Sequence, residues 1–128
     1  MVTRSSRARP WGVTAVGILF VFAGIVGFVY HALRLRQPGP VDRDLYLILS
    51  IRVIAVVTGA LLLRRVSWAR WMAMAWMAYH IGLSAVESSV QGVAVHFALL
   101  VIMAYLLLRS DSAAYFRGPA ESELVRPS

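Results

Sequence analysis

Four apolar runs, at 11–33, 45–63, 68–86 and 90–108, are separated by short polar segments. The first and second runs have no polar face: 13–30 offers only Thr14 and Tyr30, and 53–63 only Thr58. A helix in a soluble bundle needs a polar side facing water, so that reading fails. A hydrocarbon core of about 30 Å takes about 20 helical residues to cross. The pattern therefore predicts an all-α protein, a bundle of four transmembrane helices running up-down-up-down. The domain plan is a basic tail over 1–10, a transmembrane domain over 11–108 and a second tail over 109–128. The first run is read as a retained helix rather than a cleaved leader, because no small-residue cleavage pattern follows it.

The connections carry their own marks. Pro38-Gly39-Pro40 cannot remain helical and breaks the chain within 34–44. Asp44 is expected to cap the second helix and Ser67 the third. A turn over 87–89 would join the third and fourth helices as a tight hairpin. Beyond 108, an amphipathic stub at Tyr115-Phe116-Arg117 is expected, followed by disorder.

The composition adds exclusions. Of the 128 residues, 59% are hydrophobic and 15% charged, with a mean hydropathy of +0.70. With no cysteine there can be no disulfide, thiol redox chemistry or cysteine-ligated metal. The net charge of +7 comes from arginines at run edges and in tails rather than in one stripe, which argues against nucleic acid as a partner. Their distribution instead orients the chain. Arg4, Arg7, Arg9, Arg64, Arg65, Arg70, Arg109, Arg117 and Arg126 fall on one side, against Arg34, Arg36 and Arg43 on the other. The positive-inside rule then places both termini in the cytoplasm, with Gln37 and Ser89 outside.

Few residues offer chemistry. Arg52, seven residues into the second run, is costly in hydrocarbon unless it is paired, hydrated or snorkelling. His80 and His96 lie at a similar depth, about 10 Å below the outer boundary, with His31 and Glu87 above them and Ser84 between. An ion pair between Arg52 and Glu87 is expected. Such a cluster either fixes helix packing through hydrogen bonds or holds a haem, a quinone head group or a metal. No spacing matches a metal-binding motif, which favours packing with no cofactor. Two histidines on sequence-adjacent helices also stand too close for a haem between them.

Other features are blander. The cluster Trp68, Trp71, Met72, Met74, Trp76 and Met77 is expected at lipid or a subunit contact. Ala23/Gly27, Ala55/Gly59, Ala78/Gly82 and Ala94/Ala98 are small-residue pairs that permit close helix approach. The first run has no carboxylate, which excludes four-helix drug exporters that need one there. No catalytic triad, carboxylate pair or phosphate-binding glycine loop occurs.

Four segments carry a resemblance: Arg9-Pro10-Trp11-Gly12-Val13-Thr14, Trp68-Ala69-Arg70-Trp71, Ala78-Tyr79-His80 and Ala114-Tyr115-Phe116-Arg117. Together they resemble small bacterial four-helix integral membrane proteins with no assigned activity, over Arg9 to Arg117. The resemblance implies a multi-pass protein of the bacterial inner membrane and transfers no functional residue. The expected role is a non-catalytic accessory or assembly subunit, contacting lipid and either a membrane-protein partner or copies of itself. The alternative is a redox subunit or small transporter built on the Arg52–His80–His96 cluster.

Overall fold

The computed structural model describes the backbone of residues 8–124 and the side chains of residues 8–117. All regular structure among the described residues is helical: α1 (Trp11–Ala32), α2 (Arg43–Leu63), α3 (Ala69–Val86), α4 (Val90–Leu108) and α5 (Ser110–Leu124), with a 3-10 turn at Leu33–Arg36 extending α1. Three segments, Trp11–Arg36, Arg43–Leu63 and Val90–Leu108, are long and apolar enough to cross a membrane. The 18-residue α3 is more polar, since it carries Arg70, Tyr79, His80 and Ser84.

The helices form two antiparallel hairpins. In the first, α1 and α2 approach until backbone meets backbone. A Cβ added at Gly59 would lie 2.6 Å from the Gly17 carbonyl oxygen, and one at Gly24 would lie 2.9 Å from that of Arg52. Of the small-residue pairs, Ala55/Gly59 and Gly27 serve this contact. Gly82 has open space around it, and Ala78, Ala94 and Ala98 are exposed.

The turns use different chemistry from that expected. Asp42, not Asp44, is the N-cap residue of α2, and Asp44 lies in the first turn. Ser67 does not cap α3, which starts from Trp68 without a side-chain cap. The ends of α2 and α3 share one device instead. Arg65 and Ser88 take left-handed φ values of 66° and 58°. Val66 N–H then bonds Leu61 O at 3.0 Å, and Ser89 N–H bonds Ser84 O at 2.9 Å. These are Schellman ends, which satisfy carbonyls left over at a helix C-terminus and normally use glycine. Ser89 then serves twice, because its hydroxyl accepts from Gly92 N–H and caps α4.

The tightest core sits at the end of the bundle that carries α5. There Val13, Val16 and Phe20 of α1 meet Ala55 and Leu62 of α2, Ala69, Ala73 and Met77 of α3, and Met103 and Leu107 of α4. The amphipathic stub expected at Tyr115-Phe116-Arg117 is part of α5, whose helix runs on to Leu124 where disorder is expected, and residues 125–128 lie outside the described residues. Ser112 donates to Leu106 O, and Tyr115 and Phe116 are buried against the bundle. Tyr115 Oη donates to Leu63 O at 3.1 Å, satisfying a carbonyl in the last turn of α2. Two adjacent aromatic side chains can seal the open end of a bundle in this way, burying area that a solvated stub would leave in water.

Candidate polar site between the hairpins

The opposite half of the bundle holds the polar side chains. His80 of α3 and His96 of α4 are half-buried and face each other, with ring centroids 5.7 Å apart and planes tilted by 31°. Each ring is tied to its own helix: His80 Nδ1 to Trp76 O at 2.9 Å, and His96 Nδ1 to Gly92 O at 2.7 Å. His31 makes the same bond to Gly27 O at 2.7 Å. A carbonyl oxygen can only accept, so Nδ1 carries the proton in all three rings. In the neutral form of such a ring the lone pair lies on Nε2. Ser84 Oγ lies 3.3 Å from His96 Nδ1, joining α3 to α4 at this level.

Trp76 is the organiser that the sequence did not disclose. It is not a lipid anchor but lies between helices. Its indole ring lies 3.8 Å from His80 and 5.1 Å from Phe20 of α1, centroid to centroid. Its Nε1–H donates to Ile51 O of α2 at 3.3 Å. One side chain thus ties three helices together beside Arg52. The spacing Phe20, Ile51, Trp76 carries no periodic mark, so only its large area and single donor could have singled it out. Trp68 and Trp71, each 57% exposed, do occupy the outward positions expected of anchors.

Arg52 does not pair with Glu87. Its side chain turns toward α1 and lies against Gly27, where an added Cβ would come 2.7 Å from Nε. That nitrogen is buried with no hydrogen-bond partner. Glu87 is exposed at the C-cap of α3. Glycine at position 27 explains the difference, because it opens a groove on α1 into which the arginine stem packs. His31 bonds within α1 and touches the ring of Tyr30 edge-on, making no bond to Arg52, His80 or His96.

This arrangement offers two Nε2 acceptors and a guanidinium, without a carboxylate. Among the described residues no three histidine, aspartate or glutamate side chains are placed to share a metal ion. Haem does not fit between His80 and His96, because the Ser84–His96 contact and the turn at Ser88 hold α3 and α4 together. An apolar groove of about 450 Å³ opens near the ends of these helices, lined by residues such as Ala85, Val93, Ala94 and Phe97, and includes none of the cluster.

No family model, no curated protein and no solved structure matches the chain.

Proposed function

We propose that the chain is a four-span protein of the bacterial inner membrane, with both termini in the cytoplasm, acting as a non-catalytic accessory or assembly subunit. It works as a homo-oligomer or beside another membrane protein. The observation that carries the non-catalytic reading is the use made of the polar groups. The histidine Nδ1–H groups and the Trp76 indole bond to backbone carbonyls of the bundle. The histidine bonds satisfy polar groups within their own helices, and the Trp76 bond to Ile51 O joins α3 to α2, in a setting where unsatisfied polar groups are costly.

The fourth span is α3. Its 18 residues reach about 27 Å, close to the hydrocarbon thickness. Its polar groups at Trp76, His80 and Ser84 turn to neighbouring helices rather than to lipid. An even number of spans returns the C-terminus to the side of the N-terminus, the arginine-rich side.

Single cysteines at Gln37 and Glu87 are expected to react with an impermeant thiol reagent in intact cells, and one at Ser67 is not. Both outward positions are exposed, and the chain has no native cysteine. Labelling confined to Ser67 would invert the topology.

A second reading rests on Arg52 Nε, buried without a partner. A redox subunit holding haem, quinone or metal, or a small transporter, would use that nitrogen and the histidine Nε2 atoms. Protein purified in mild detergent is expected to show no visible absorption and no stoichiometric metal or extractable quinone. A Soret band, bound metal or bound quinone would replace the accessory reading with this one.

A further inference from the structure

The end of the bundle that carries α5 gathers arginines around two aromatic rings. Arg9 Nε–H donates to Tyr115 Oη at 3.3 Å, and the Arg65 guanidinium lies 4.7 Å from the centre of the same ring. The Arg70 guanidinium lies 5.5 Å from the ring of Phe116, and the two rings are 5.1 Å apart. Three residues from three separate segments therefore converge on one platform: the chain before α1, the α2–α3 turn and the first turn of α3.

Like charges held together need an anion. One ion pair forms among the described residues, between Arg109 and Asp111 at 2.6 Å, and neither Arg9 nor Arg70 takes part in it. Arg70 Nε is buried without a hydrogen-bond partner. For Arg9 and Arg70, the tyrosine hydroxyl and the aromatic face orient the guanidinium but neutralise none of its charge.

A second observation sets the surroundings of this platform. Trp11, Trp68 and Trp71, at the same end of the bundle, are 65%, 57% and 57% exposed. Indoles facing outward from apolar helices belong at the level of lipid head groups. Phosphate is the anion found at that depth, and the guanidinium fork matches its oxygens in pairs.

The geometry points to a binding site for an anionic phospholipid, with its phosphate held by Arg9 and Arg70 on the Tyr115–Phe116 platform. α5 acts as the strap that holds these cations in place, since Tyr115 is anchored to Leu63 O and Ser112 to Leu106 O. The site rests on the chain being a membrane protein but not on its orientation, so binding in detergent and the labelling of Gln37 and Glu87 can fail separately.

The test is native mass spectrometry of the full chain in detergent, titrated with phosphatidylglycerol, phosphatidylcholine or inorganic phosphate. Phosphatidylglycerol is expected to bind tightest. Arg9→Gln and Arg70→Gln are each expected to weaken it about fivefold, as the loss of one cation near a lipid surface should. Arg70→Lys keeps the charge without the fork and should fall between. Arg109→Gln removes a cation from the same end that already has a carboxylate partner, and should leave binding unchanged. Circular dichroism without lipid checks that each variant is folded, and Arg70→Lys stands in for Arg70→Gln if the latter is not. Equal binding of phosphatidylcholine would overturn the site, as would an Arg109→Gln loss matching that of Arg70→Gln. Inorganic phosphate binding as tightly as phosphatidylglycerol would make it a free-anion site and overturn the lipid assignment.

Discussion

Gly59→Ala is expected to destabilise the protein by about 1–3 kcal/mol, the usual cost of forcing extra atoms into a packed interface. The new methyl group would lie 2.6 Å from Gly17 O and 2.9 Å from Val21 N. Both are backbone atoms, so no side chain can rotate away and α1 must separate from α2. Gly82→Ala is the matched control. It belongs to the same kind of small-residue pair, but nothing lies within 4 Å of its added Cβ. That change should be neutral or gain up to about 1 kcal/mol from helix propensity. Thermal unfolding of both variants in one detergent measures the difference. Equal losses, or no loss at Gly59, would refute the close α1–α2 crossing.

Trp76→Ala should cost about 3 kcal/mol or more, within the range seen when a large aromatic is cut from a packed position. The loss has separable parts. Trp76→Phe keeps one ring against Phe20 and His80 and removes the bond to Ile51 O together with the second ring, the hydrogen-bond part of the cost being about 0.6–1.7 kcal/mol as for helix-to-helix bonds in membranes. Trp71→Ala, at a 57% exposed ring, should cost far less. If Trp71→Ala proved as damaging as Trp76→Ala, Trp76 would not be the central tie between the hairpins.

These two sites mark where reading from sequence stops. Gly27, Gly59 and Gly82 look alike as members of small-residue pairs, yet two sit in a helix crossing and one faces open space. Likewise, Trp68, Trp71 and Trp76 look like one anchoring cluster, and only Trp76 is turned inward. The expected Arg52–Glu87 pair fails for the same reason. Backbone depth along a helix follows from residue number at about 1.5 Å each, so polar residues can be ranked by level from sequence alone. The direction a side chain takes around the helix axis depends on which neighbour packs there. For Arg52 that neighbour is Gly27.

The turns divide in the same way. Pro38-Gly39-Pro40 announces a break because proline forbids the helical bond locally. The way α2 and α3 end carries no such mark, since Arg65 and Ser88 occupy a left-handed conformation that glycine normally signals. Packing of the hairpins holds them there despite a local cost of about 1–2 kcal/mol.

The helices themselves were determined by the sequence. Long apolar runs without polar partners must satisfy their backbone groups internally, which leaves the helix as the local solution. The expected runs and the observed helices accordingly agree to within a residue or two at most ends. Only the tertiary structure decided that α5 folds back to bury Tyr115 and Phe116, that Trp76 joins three helices, and that the rings of His80 and His96 face each other. Those outcomes depend on contacts between residues far apart in the chain, and such contacts exist only once the hairpins have settled their rotation against each other.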